Sequence, residues 1–134
     1  MGAPRNQFQY SIVRVIPDIA RGECVNAGVI LMCRPKRYLG ARVGIDPARL
    51  AAIAPGLALV EVQPHLDAIV RIASGDPEGG PIAQLGLAER FHWLVAPSST
   101  IIQASETHTG LCHDPATELD HLFETLVASP RPPG

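Results

Sequence analysis

The first third of the chain shows the residue spacing of β-strands. Apolar residues alternate between two faces over residues 8–16, while residues 24–33 are almost continuously apolar, as in a central strand covered on both faces. Gly28 within the second run indicates a bulge or the close approach of another backbone. A third run follows at 38–43. Because the connections are short, the three strands are predicted to form an antiparallel meander.

Helical spacing follows the strands. Asp46 and Pro47 match an N-cap followed by proline at the first helical position, so a short helix is predicted to begin there. A second helix is predicted within residues 57–73, where apolar residues recur every three or four positions. Pro64 has no N–H to donate, so it must lie in a first turn or make a kink, and we expect the main helix to begin near Val62.

The remainder of the chain contains elements of both types. Residues 74–81 are rich in Gly and Pro and predict a loop. A helix is predicted at 87–94, a fourth strand at 100–105 and a loop at 106–113. The final helix, 115–128, has the clearest pattern, because its apolar residues recur at i, i+3, i+4, i+7 and i+8.

This order of elements predicts an α+β fold, with a mostly antiparallel sheet and helices packed mainly on one face. The length of 134 residues fits a single domain. Its ordered core is expected over about residues 8–128, between a polar N-terminal tail and a proline-rich C-terminal tail. Apolar residues make up 46% of the chain but aromatic residues only 4%, so aliphatic side chains must fill the core.

The formal net charge of −2 hides an asymmetry along the chain. Residues 5–42 carry seven basic and two acidic side chains, and residues 43–134 carry four and eleven. The two halves either neutralise each other or leave a basic contact surface, for which the turn residues Arg34, Lys36 and Arg37 are the candidates. The low total charge argues against a general nucleic-acid binder, so nucleic-acid binding through the basic half ranks third among the functions considered.

Cysteine usage and hydropathy bear on the cellular compartment. The three cysteines form no CxxC motif, and no secretory signal pattern is present, so we expect a cytoplasmic protein with reduced thiols. The longest apolar run, 27–33, has 7 residues, against about 20 for a membrane span, so no membrane association is expected. No cofactor motif is recognisable, and we predict neither a cofactor nor a metal site.

Reactive side chains are densest in residues 107–114. His108, Cys112 and His113 are acceptable zinc ligands, but no second cluster with ligand spacing accompanies them. Cys112 could instead be a nucleophile, with a histidine as base and a pKa lowered by the following helix N-terminus, or a small buried apolar residue. A hydrolase or transferase using His108 and Cys112 is therefore the alternative function.

Two further interpretations of this segment involve no catalysis. Free N–H groups at the start of the last helix could bind an anion together with Thr107, Thr109 and Arg90, although Asp114 would repel it. Thr107, His108 and Thr109 could equally close a turn through side-chain-to-backbone hydrogen bonds.

The single tryptophan, Trp93, lies close to Arg90 in the helix predicted at 87–94. Because Trp and Arg are over-represented at binding hot spots, the two side chains could line a pocket or an interface. Large residues are scarce in this chain, however, so Trp93 and Phe91 are more simply expected to complete the core. His65, on the second helix, is expected at the surface.

Five sequence blocks in combination carry a resemblance to a known family. They are YSIVRVIP from Tyr10, ARGECVNAGVIL from Ala20, ERFHWL from Glu89, STIIQ from Ser99 and HTGLCHDP from His108. Together they resemble the bacterial family of unknown function DUF3037, from about residue 8 to residue 127. Cys24 and Ala27 in the second block depart mildly from the side chains usual in the family.

The resemblance implies no established activity. It implies a small partner or regulatory protein, because members of the family are sometimes encoded beside HipA-like kinase-domain proteins. Residues in the matching blocks become candidate binding residues: Asn26, Arg90, Trp93, Gln103, His108, Thr109 and Gly110. We therefore expect a small cytosolic binding or interaction module with a protein partner.

Overall fold

Five strands form one antiparallel sheet in the computed structural model, which describes residues 4–97 and 100–128. The strands are β1 (Asn6–Val15), β2 (Val25–Cys33), β3 (Tyr38–Val43), β4 (Ile102–Ala104) and β5 (His108–Cys112). They lie in the order β3-β2-β1, and β4 and β5 pair one after the other with the remaining edge of β1. The predicted N-terminal meander is confirmed, and the sheet gains two later strands rather than one.

Four helices cover the two faces of this sheet. They are α1 (Pro47–Ile53), α2 (Leu59–Ser74), α3 (Leu87–Val95) and α4 (Pro115–Leu126). The first three pack on one face and α4 packs on the other. The predicted α+β class, with helices mainly on one face, is therefore confirmed, and α4 is the exception. None of the described helices is both long and apolar enough to cross a membrane.

Strand β2 contributes to two separate hydrophobic clusters. Ile30 and Met32 pack with the α1–α3 side, whereas Val29 and Leu31 pack beneath α4. Every residue of β2 except Asn26 is buried. The continuous apolar run predicted to be a central strand is thus explained, because neither face of this strand meets water.

The predicted special role of Gly28 is confirmed. The pairing of β1 with β2 shifts register between Val13 and Arg14, directly opposite this glycine. A Cβ atom at position 28 would lie 2.9 Å from the backbone oxygen of Arg42 and 2.9 Å from Cγ1 of Val43. A side chain is excluded because the neighbouring strand occupies its space.

Helix α2 begins at Leu59, three residues before the predicted start. The carboxylate of Glu61 accepts a hydrogen bond from the backbone N–H of Ala58 at 3.2 Å, which satisfies a donor at the helix start. Pro64 therefore lies inside the helix rather than in its first turn. The prediction near Val62 was wrong because it weighed the proline above this cap.

The prediction of a loop at 106–113 was also wrong, because His108–Cys112 is strand β5. Its sequence is short, polar and interrupted by Gly110, so its own propensity for a strand is weak. The first half of β1 supplies the pairing partner, with Phe8 opposite Gly110. A Cβ atom at position 110 would lie 2.6 Å from Cζ of Phe8, so the aromatic ring occupies the space above the glycine.

Candidate functional site

A groove of about 450 Å³ opens between α2, the end of α3 and β4; we name it the Trp93 groove. The sheet residues Val13 and Ile30 line its base. Ile69 from α2 and Ile102 from β4 add further apolar surface. Its volume lies within the range of small-molecule sites, and its lining is mainly apolar.

Trp93 borders this groove with 51% of its surface exposed. The expectation that Trp93 and Phe91 both complete the core is half correct, because Phe91 is only 1% exposed. Two positions along a helix differ by about 200° in direction, so the two side chains leave α3 on opposite sides. Only Phe91 can then face the sheet.

Polar groups at the groove come from three different elements. His65 on α2 is exposed, as expected, and borders the groove together with Thr100 and Gln103. The side-chain amide of Gln103 donates a hydrogen bond to the backbone oxygen of Thr100 at 2.9 Å. Trp93 and Gln103 are therefore two predicted binding residues that the fold brings to the same groove. The contribution of His65 was missed, because its position on a helix surface indicated no ligand.

His108 and Cys112 do not form a catalytic pair. They lie on the same face of β5 but four residues apart, which corresponds to about 13 Å along an extended strand. The His108 ring packs against the Tyr10 ring with their centroids 5.2 Å apart. Cys112 is buried in the cluster beneath α4 with Cys33. The structure therefore leaves the thiol without a neighbouring histidine base from this pair.

Burial, with smaller contributions from the nearby Cys33, Glu118 and Asp114, raises the pKa of the Cys112 thiol from 9.0 to about 11. This direction is opposite to the lowering expected from the α4 N-terminus. The desolvated thiol is held neutral, and the adjacent carboxylates disfavour a second negative charge. Cys112 thus has the chemistry of a small core residue rather than of a nucleophile.

The three thiols give a direct test of this assignment. In the folded protein only the exposed Cys24 should react rapidly with a thiol reagent at pH 8, while the buried Cys33 and Cys112 should react after denaturation. Because the folded-state pKa of Cys112 is raised, the free energy of unfolding should fall as pH increases from 9 to 11, where the unfolded chain ionises first. Rapid labelling of Cys112 in the native protein, mapped by mass spectrometry, would contradict the assignment.

Two other candidate binding residues have structural partners. The Arg90 guanidinium donates hydrogen bonds to the backbone oxygens of Leu85, at 2.8 Å, and Ala73, at 3.4 Å. It thereby ties the end of α2 to the turn before α3. The Asn26 amide donates to the backbone oxygen of Leu126 at 3.0 Å and satisfies a carbonyl at the end of α4.

The N-terminus of α4 is capped by the side chain of Asp114. The Asp114 carboxylate accepts hydrogen bonds from the backbone and the hydroxyl of Thr117. These bonds lower the pKa of Asp114, and the positive charge of Lys36 adds a smaller effect in the same direction. Thr107 and Thr109 are exposed, the first before β5 and the second within it. A carboxylate already occupies the position that an anion would need, so the arrangement does not favour an anion at this helix end.

The basic turn Arg34, Lys36 and Arg37 is exposed, at the end of β2 away from β4. Part of the charge asymmetry is neutralised within the fold. The side chain of Arg42 binds the carboxylates of Asp120 and Glu124, both at 3.1 Å. These contacts support the interpretation that the two halves of the chain compensate each other, while they leave the turn itself accessible.

No group of three or more His, Cys, Asp or Glu side chains in the described ranges is arranged to hold a metal ion.

Comparison with known proteins identifies the family of the chain. No curated protein and no solved structure matches the chain. A family model described as "Protein of unknown function (DUF3037)" matches residues 10–127, which is nearly the whole chain. The chain belongs to the DUF3037 family of proteins of unknown function.

Proposed function

We propose that this protein is a small protein-binding module that receives an apolar segment of its partner in the Trp93 groove. The observation that carries the proposal is the half-exposed position of the single tryptophan beside an apolar groove. A partner that covers this side chain would remove a large apolar surface from water. Tryptophan is the residue type most often found at the energetic centre of such contacts.

The composition of the groove supports a binding role. Its apolar lining supplies the hydrophobic contribution, and the few polar groups, His65, Thr100 and Gln103, can orient a ligand. Most of the groove is formed by α2, α3 and β4, and Ala96, Pro97 and Thr100 between α3 and β4 complete its lining. Such a site is preorganised and loses little conformational entropy when a partner binds.

The family resemblance makes a HipA-like kinase-domain protein the first partner to examine, in the cytoplasm. The basic turn Arg34, Lys36 and Arg37 is a second contact surface in this proposal. The alternative function as a hydrolase or transferase gains no support, because His108 and Cys112 are separated along β5 and the thiol is buried.

A binding experiment tests the proposal by replacing, one at a time, two apolar residues that are exposed to nearly the same extent. Trp93→Ala should weaken capture of the partner by at least about tenfold, as expected for a hot-spot residue. Leu111→Ala, on β5 and outside the groove, is the matched control, because Leu111 is 54% exposed. Binding is measured with the purified partner by titration, and in the wild-type protein Trp93 fluorescence should shift to shorter wavelength on binding.

A triple variant separates the two surfaces. Changing Arg34, Lys36 and Arg37 to alanine should leave the Trp93 fluorescence change in place and mainly slow association, because exposed charges act on the encounter rate. If Trp93→Ala and Leu111→Ala bind the partner equally well, the groove is not the contact site. If the triple variant alone loses binding, the basic turn carries the interaction instead.

A further inference from the structure

The Arg14 side chain lies on the α4 face of the sheet, opposite to the Trp93 groove. In the strand register Arg14 stands between Gln103 of β4 and Asn26 of β2. Directly paired residues of antiparallel strands project to the same face, and Asn26 reaches α4 by its bond to Leu126. The three polar side chains therefore form a row across the sheet, which we name the Arg14 row.

The guanidinium of Arg14 lacks the partners that Arg42 and Arg90 have. Arg14 is partly buried, and its Nε atom is shielded from solvent without a hydrogen-bond partner. Among the described residues, Arg14 forms no ion pair, whereas Arg42 holds two carboxylates. The Nε atom of Arg90 is also unpartnered, but two other nitrogens of Arg90 bind backbone oxygens.

The neighbours of Arg14 in the row do not compensate its charge. Gln103 and Asn26 are neutral amides, and each uses one amide hydrogen for a backbone oxygen. Each therefore retains a second N–H that can be donated. A partly buried cation without a counter-ion is unfavourable, and a planar guanidinium next to amide donors matches the geometry of an oxyanion.

We propose that the Arg14 row is a binding site for an oxyanion, a phosphate or carboxylate group of a ligand. Arg14 supplies the charge and a pair of parallel N–H groups, and Gln103 and Asn26 supply neutral donors beside it. The Tyr10 and His108 rings continue the same face of the sheet, so a ligand that extends beyond the anion would meet aromatic surface there. Arg14 and Asn26 do not line the Trp93 groove, and Gln103 at the edge of the sheet is the residue that the two sites share.

The test is a nuclear magnetic resonance titration of the whole protein with inorganic phosphate and, separately, with acetate at constant ionic strength. The Nε–H resonance of Arg14 and the side-chain amide of Asn26, which does not line the Trp93 groove, should shift together and saturate, while the exposed Arg71 should not. A response to phosphate identifies a phosphate-bearing ligand, and a response to acetate identifies a carboxylate. Sodium chloride at the same ionic strength is the control for general screening.

Arg14→Lys tests the geometry while it preserves the charge. It should weaken the anion affinity by about fivefold or more, because the ammonium group cannot make two parallel hydrogen bonds. Arg71→Lys should leave the affinity unchanged. Shifts in the wild-type protein that are no larger for Arg14 than for Arg71, or that chloride reproduces, would overturn the proposal whether or not the Arg14 variant folds. Equal affinity of a folded Arg14→Lys variant would overturn the assignment of Arg14.

Discussion

Replacing Phe91 with alanine is expected to lower the free energy of unfolding by about 3–5 kcal/mol. Phe91 is 1% exposed and belongs to the cluster between the sheet and helices α1–α3, where it packs among residues such as Ile30 and Leu66. Aromatic residues are 4% of the chain, so few other large side chains are available to fill the cavity that the substitution leaves. Urea denaturation followed by far-ultraviolet circular dichroism measures the change.

Trp93→Ala is the internal comparison for this substitution. It removes a larger side chain from the same helix, but a half-exposed one, so its effect on unfolding should be well below that of Phe91→Ala. A conservative Phe91→Leu change should lower the free energy of unfolding by less than Phe91→Ala and by more than Trp93→Ala, because it leaves a smaller cavity than alanine does. If Trp93→Ala proved more destabilising than Phe91→Ala, the assignment of Phe91 to the core and of Trp93 to the groove would be reversed.

Gly28→Ala is expected to destabilise the protein by about 1–3 kcal/mol, although alanine adds a single methyl group. That carbon would lie 2.9 Å from the backbone oxygen of Arg42. A backbone atom cannot rotate away as a flexible side chain can, so β3 must move from β2 or the bulge opposite Val13 must change. The cost should appear in both thermal and urea denaturation.

Gly56→Ala provides the control for the general effect of replacing glycine. No atom lies within 4 Å of the carbon that it would add, and the backbone there does not require a positive φ. Alanine restricts the unfolded chain at both positions, so this substitution should be neutral or slightly stabilising. A Gly28→Ala variant as stable as Gly56→Ala would show that β2 and β3 can separate at this point without cost.

The elements predicted best are those in which the spacing of apolar residues alone indicates which positions are buried. In α4, apolar residues at helical spacing and an Asp114 cap followed by Pro115 agree on one helix, and the observed helix begins at Pro115. In β2, a continuous apolar run indicated burial on both faces, and both faces are covered. Local pattern and tertiary environment coincide in these elements.

The candidate site was harder to predict from the sequence than these elements were. The cluster of reactive residues at 107–114 drew attention because of its side-chain types, yet the strand pairing of β5 separates His108 from Cys112. The groove could not be derived, because His65, Trp93 and Gln103 lie on three elements far apart in the chain. Their meeting depends on how α2, α3 and β4 pack on the sheet.

The sequence by itself determined the class of fold, the central place of β2, the close backbone approach at Gly28 and the position of α4, because each follows from local spacing. The tertiary structure alone decided which aromatic residue of α3 is exposed, that the polar segment after Glu106 is a strand, and that Arg14 has no counter-ion among the described residues. These properties depend on contacts between residues distant in sequence. A side chain of given polarity can be buried, paired or exposed, and only its neighbours in space select among these outcomes.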